Sequence, residues 1–223
     1  MIKASHKKWA NWVFRPYVQY IMAQQFHRIE LVTPLPEIRK DAPLLLLPNH
    51  STWWDGFFVY WLNKQVWQRP VYLMVLKETL LKFPFFRHLG AFSIDPASLS
   101  ATRESLIYSQ NIVHSQPSPV LCLFPQGKLM PWGKRPLEYK PGIQWLIKNS
   151  PKNLQIILLA IKIEFGTEQR PTVYLCLQKI KNIEQGLILP DKHAELLTRL
   201  DNLIQDEELQ TQTLFVGKKT AGS

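Results

Sequence analysis

Apolar positions follow two rhythms along the chain. Short unbroken runs have the composition of buried strands: Leu44 to Leu47, Val71 to Leu76, Ala91 to Ile94, Val120 to Phe124, Leu154 to Phe165 and Thr172 to Leu177. Between and after them lie stretches of helical character: Thr52 to Trp67, Lys77 to Leu89 with a kink at Pro84, Ala97 to Ser115, Gly142 to Lys148 and Asp191 to Leu209. Ser98 is placed to cap the third of these helices. A strand that is apolar at every position must be covered on both faces. The alternation therefore predicts an α/β fold with a mostly parallel sheet flanked by helices. Nothing within residues 30–210 reads as an interdomain linker, so a single domain is expected.

The two ends read differently. Residues 1–32 are basic and aromatic, with Trp9, Val13, Pro16, Tyr17 and Tyr20 at three- and four-residue steps among Lys7, Lys8 and Arg15. Proline is best tolerated in the first turn of a helix, so the pattern predicts a short segment, a break, and a helix from Pro16 to Ile29. Its rings suit a membrane interface, where one edge is wet and the other apolar; packing against the domain accounts for them equally well. The apolar stretch after residue 8 breaks at Arg15-Pro16 and lacks a small-residue cleavage site, so it is not read as a secretory signal and a cytoplasmic protein is expected. Residues 33–43 (TPLPEIRKDAP) form a loop, residues 33–210 the globular domain, and residues 211–223 a tail expected to fray from Phe215 onward.

Composition narrows the partner. Lys and Arg exceed Asp and Glu by 27 to 17, a net charge of +10, and 8 Trp are present. A basic, tryptophan-rich globule points to an anionic surface, nucleic acid or a membrane. No zinc pattern, helix-turn-helix signature or RNP-like string is present and the cations are not striped, which disfavours nucleic acid. No run is long enough to span a bilayer. Cys122 and Cys176 sit within apolar strands, as packed thiols in a reducing compartment do.

The chemistry concentrates in Pro48-Asn49-His50-Ser51-Thr52-Trp53-Trp54-Asp55-Gly56, where the first apolar strand gives way to a helix. In open α/β sheets, ligands bind beyond such strand ends. Residues five apart on one helix diverge by about 140°, so His50 and Asp55 meet only if His50 lies on the loop and Asp55 in the first helical turn. A carboxylate so placed holds one imidazole nitrogen protonated and leaves the other free to accept a proton. Thr52-x-x-Asp55 also fits a capping box, in which Asp55 serves only backbone N–H groups. Downstream, Phe124-Pro125-Gln126-Gly127-Lys128 follows another apolar strand, and Gly90 to Asp95 contains a third.

In that order and spacing, Asn49-His50-x-x-x-x-Asp55, Gly90 with Ile94-Asp95, and Phe124-Pro125-x-Gly127 resemble the motifs of the glycerolipid acyltransferases typified by lysophosphatidate acyltransferases. Ile156 to Ile163 stands where the family's fourth motif belongs, without its proline, and Lys140-Pro141-Gly142 echoes a lysine and glycine after the third. The resemblance implies an acyltransferase domain over residues 33–210, with His50 as general base and Asp55 orienting it. It also implies an acyl-CoA or acyl-carrier-protein donor and no bound cofactor or metal. The acceptor is a lysophospholipid-like or other lipid hydroxyl, met by a protein peripheral on the cytoplasmic face of the membrane. Asn49, Phe124, Pro125, Gln126, Gly127, Lys128 and Arg135 become the expected substrate-binding residues, with Lys128 and Arg135 near His50 at the mouth of a cleft.

Three departures are chemically specific: Gln126 replaces the family's glutamate, Leu129 one arginine and Pro96 another. Neither leucine nor proline replaces an arginine fork on phosphate. The acceptor then differs from lysophosphatidate, unless Lys128, Lys134 and Arg135 compensate. Trp53, Trp54, Phe57, Phe58, Tyr60 and Trp61 read either as an acyl groove or as core. Rival readings are a thioester hydrolase, for which no G-x-S-x-G elbow exists, and a silent lipid-binding homologue.

Overall fold

The computed structural model describes residues 1–181, 189–206 and 208–218. In chain order the elements are α1 (Lys8–Gln25), β1 (Arg28–Leu31), β2 (Leu44–Pro48), α2 (Asp55–Gln65), β3 (Val71–Leu76) and α3 (Lys77–Lys82). A 3-10 turn (Pro84–Leu89), β4 (Ala91–Ile94), α4 (Leu99–Ser115) and β5 (Val120–Cys122) follow. The chain continues through α5 (Gly142–Lys148), β6 (Gln155–Glu164), β7 (Thr172–Ile180), α6 (Leu189–Leu203) and β8 (Gln212–Val216).

One sheet of eight strands, in the order β4-β3-β5-β2-β6-β7-β1-β8, organises the molecule. The first five run parallel, so their carboxyl ends share one edge. β7 returns antiparallel to β6, β1 lies parallel to β7, and β8 closes the sheet antiparallel to β1. The four leucines of β2 are all 0% exposed because the strand is central and covered twice. Leu44 and Leu46 enter the core under α1 and α2; Leu45 and Leu47 enter the one under α4, α5 and α6. This is the α/β, mostly parallel domain that the unbroken apolar runs predict.

Four local differences have physical causes. α1 runs unbroken through Pro16 because Ala10, Phe14, Val18 and Met22 keep one buried stripe at helical spacing on both sides of it. Packing of that stripe offsets the roughly 3 kcal/mol that an interior proline costs a helix. The opposite face leaves Trp9, Trp12, Val13, Tyr17 and Tyr20 exposed, so α1 packs with one side and shows its rings with the other. Arg28 and Ile29, expected to end a helix, open β1 instead, and the expected fraying tail supplies the end of β8. There Phe215 is buried against Trp61, whose indole N–H donates to Leu214 O at 3.0 Å. Beyond Pro84 the helix after β3 tightens to a 3-10 turn that ends at Gly90. At Gly90 φ is +106°, and an added Cβ would lie 1.9 Å from Val71 O, so only glycine admits the start of β4. Ser98 caps α4 as expected, accepting from Ala101 N–H at 3.2 Å.

If β8 belongs to the core, Phe215→Ala lowers stability by about 3 kcal/mol, the usual cost of a buried phenylalanine. Urea unfolding read by circular dichroism measures it; a change under 0.5 kcal/mol would mean the strand contributes nothing.

Candidate active site

The loop from β2 to α2 is shaped by one carboxylate. Asp55 opens α2 and is 1% exposed. Its Oδ2 accepts from His50 Nδ1 (2.8 Å), Ser51 N–H (2.8 Å) and Thr52 N–H (2.9 Å), and its Oδ1 from the Thr52 hydroxyl (2.8 Å). The capping and histidine-holding readings thus coincide, since one carboxylate does both. With Nδ1–H committed to Asp55, the His50 Nε2 carries a lone pair. His50 lies on the loop and Asp55 in the first helical turn, which is how residues five apart come to touch.

Two neighbours fix the imidazole. Its ring stacks on Phe124, centroids 3.9 Å apart and planes 19° apart. Its backbone is held between the two motif loops: His50 N–H donates to Gln126 Oε1 at 2.8 Å, and His50 O accepts from Met130 N–H at 2.8 Å. Gln126 is buried. Asn49, expected to bind substrate, is occupied otherwise. Its Oδ1 accepts from Ile161 N–H (2.7 Å), and its Nδ2 donates to Ile161 O and Ser51 Oγ (3.0 Å each), so it ties the loop to β6.

The sequence profile of the Acyltransferase family matches residues 28–162, from β1 into β6 and more than half of the chain. The chain belongs to the acyltransferase family. No curated protein matches it. Among solved structures, the 1-acyl-sn-glycerophosphate (LPA) acyltransferase PlsC from Thermotoga maritima shares the fold at a TM-score of 0.54 and 14% identity, over 88% of this chain and 82% of that one.

Within this acyltransferase the third motif is a tight turn. Gly127 N–H closes it on Phe124 O at 3.1 Å, Pro125 supplies a fixed φ, and Gly127 sits at φ +69°. A Cβ on Gly127 would meet the Lys140 side chain at 3.2 Å, and Lys140 N–H donates to Pro125 O at 2.9 Å. The lysine after the third motif therefore packs on that motif, whereas Gly142 lies against Leu106 of α4. Lys128 is exposed on the turn, two residues before the Met130 bond to His50. Arg135 is directed elsewhere: its Nη1 donates to Trp132 O and Lys134 O, and its guanidinium lies over the Trp132 ring. Trp132 in turn donates to Asp201 of α6 at 3.0 Å. Of the aromatic series after His50, Phe57, Phe58 and Trp61 are core, whereas Trp53 is 53% exposed.

A second histidine, His193 of α6, reaches this region as well. It is fully buried, accepts at Nδ1 from the Tyr139 hydroxyl (2.7 Å), and donates from Nε2 to Leu159 O at 3.2 Å. Leu159 O also accepts from Asn49 N–H, so His193 joins the loop after β5 to β6, on which the start of the first motif also rests. No spacing rule marks it, because its partners come from distant elements.

Burial lowers the His193 imidazole from its ordinary 6.5 to about 4. The unfolded chain therefore binds this proton first, and the stability given by neutral His193 is complete above pH 6.5 and lost as pH falls toward 4. Between pH 7 and 4.5 the loss is about 2 kcal/mol. His193→Gln, which keeps one donor and one acceptor but cannot titrate, should lose correspondingly less over that interval in paired denaturant titrations. Equal losses would remove His193 as the cause.

Proposed function

We propose that this acyltransferase moves a fatty acyl group from an acyl thioester, acyl-CoA or acyl-carrier protein, to the hydroxyl of a lipid acceptor at the cytoplasmic surface of a membrane. The observation that carries this reading is the His50–Asp55 pair, with Nε2 free at the ends of the parallel strands. His50 Nε2 takes the proton of the acceptor hydroxyl as its oxygen attacks the thioester carbonyl, and Asp55 stabilises the imidazolium that forms. The tetrahedral intermediate collapses with cleavage of the C–S bond, and the thiolate leaves with the proton from His50. The products are an ester and a thiol.

Direct attack fits the thiols and hydroxyl nearby. Cys122 is wholly buried, and burial pushes its thiol up, away from thiolate. Ser51 Oγ accepts from the Asn49 amide and lies on the Asp55 side of the loop. Among the described residues no helix is long and apolar enough to cross a membrane.

The acceptor is read here as a lipid alcohol not recognised by an arginine fork. Pro96 and Leu129 are exposed on loops beyond β4 and β5 and offer no cation, while Gln126 keeps the oxygen that holds His50. Glycolipids and other non-phosphorylated lipid alcohols meet that condition.

The test supplies labelled acyl-CoA and acyl-carrier protein in turn to a total lipid extract. Wild type forms a new acylated lipid; His50→Ala and Asp55→Asn lower the rate by ~10²-fold or more, the scale of positioned proton transfer. Selective acylation of lysophosphatidate would sink the acceptor reading, and free fatty acid as the sole product would make the protein a thioester hydrolase.

A further inference from the structure

We infer that Trp132 is a positioning residue for the acceptor side of the site: its indole, held by Asp201 of α6, fixes the loop of residues 128–136 against His50. This deepens the acyl-transfer reading and rests on it for the identity of what the loop faces.

The loop depends on few contacts for its shape. None of residues 128–136 is buried; Trp132, half-buried, packs only against the edge of the core, and the next buried side chain is Leu137. The bonds inside the segment are local. Lys134 N–H donates to Pro131 O, and Arg135 Nη1 donates to Trp132 O and Lys134 O. Among the described residues, two hydrogen bonds leave the segment for the rest of the domain. One runs from Met130 N–H to His50 O at 2.8 Å, the other from the Trp132 indole N–H to Asp201 Oδ1 at 3.0 Å. A segment held at Met130 alone could swing about that bond. The second bond, two residues on, removes the freedom.

Asp201 is itself held. Lys162 Nζ reaches the same Oδ1 at 2.9 Å and Glu164 Oε2 at 2.8 Å. The indole ring also faces two cations, with Arg135 Cζ 5.7 Å and Lys162 Nζ 5.8 Å from its centroid. Hydrogen bonds to an ionised acceptor are the short, strong ones, and a cation over the ring adds to the hold. Lys162 follows Ile161, whose N–H and C=O bind the Asn49 side chain. Consecutive residues of β6 therefore register both loops around His50: the first motif's loop through Asn49, and the loop after β5 through Asp201 and Trp132.

The consequence falls on the acceptor. Its hydroxyl must come within hydrogen-bond reach of His50 Nε2, so a wall clasped to His50 bears on that molecule first. Leu129, 53% exposed, stands on the wall next to Met130. A wall that swings no longer presents one surface to the incoming lipid, and acceptor binding weakens while donor binding does not.

Hydrogen exchange read by mass spectrometry on the full chain measures the anchor without turnover. Trp132→Phe keeps a ring but loses the donor, and Asp201→Ala loses the acceptor. In both, the Met130 amide should exchange at least tenfold faster than in wild type, with β2 and β6 unchanged. Asp201→Asn, which still offers the indole an oxygen, should retain most of the protection. Steady-state acylation then reads position: Trp132→Phe should raise the acceptor KM at least fivefold and leave the donor KM within twofold. Unchanged exchange at Met130 would overturn the anchor. Faster exchange throughout β2 and β6, or a lower kcat with both KM values unchanged, would make Trp132 a structural residue and overturn its positioning role. Wild type that acylates nothing overturns the acyl-transfer reading alone, and the exchange result still decides whether Trp132 fixes the loop.

Discussion

A carboxylate removed from water must be surrounded by donors, and at Asp55 that requirement dictates the shape of everything beside it. Four hydrogen bonds reach its two oxygens from three preceding residues. They fold the chain back on itself between β2 and α2 and select one tautomer of His50. Removing one partner from a buried charge typically costs 3–5 kcal/mol, because the charge that remains is uncompensated. The loop therefore has one low-energy arrangement, and it is the arrangement in which Nε2 is free.

The rest of the domain converts that local solution into a site. A parallel sheet collects its strand ends at one edge, so loops from different parts of the sequence meet there without long excursions. Asn49 anchors the first loop to β6, while Gln126 and Met130 clasp the backbone of His50 from the loop after β5. His193 and Tyr139 join the same two regions from below, through the Leu159 carbonyl. The imidazole is thus held by its own carboxylate, by a ring stacked at 3.9 Å and by two backbone bonds. On the acyl-transfer reading this preorganisation matters, because a general base acts only within hydrogen-bond reach of its proton.

How much of this could be read from residues alone depended on the range of the interaction. The strands β3 and β4 and the helix α5 follow from local apolar runs and match their expected limits, and the sheet's parallel character follows from the same runs. The meeting of His50 and Asp55 was legible as a condition, because five residues and a strand-to-helix turn leave few geometries. What local pattern misjudged was decided by tertiary partners. β8 exists because β1 and Trp61 offer it hydrogen bonds and an apolar seat, and α1 crosses Pro16 because its buried stripe continues. Asn49 and Arg135 are polar residues beside a catalytic motif, and sequence assigns such residues to substrate. Ile161 lies far along the chain from Asn49, and Trp132, which takes up Arg135, is itself held by the equally distant Asp201.

That distinction sorts the departures from the family pattern. Gln126 for glutamate is architecturally silent, since either side chain offers an oxygen to His50 N–H; what changes is charge, one formal negative fewer beside the base. Pro96 and Leu129 hold nothing in place and lie exposed on loops at the mouth, so their replacement of arginine changes only what an incoming molecule meets. A family can vary such rim positions without disturbing His50, whereas a change at Asn49 or Asp55 would move it. On the acyl-transfer reading, the reaction is then written in the buried half of the site and the choice of acceptor in the exposed half. On that reading, exposed Pro96 and Leu129 offer an incoming molecule no guanidinium fork for phosphate, so the rim rather than the base is where the acceptor is chosen.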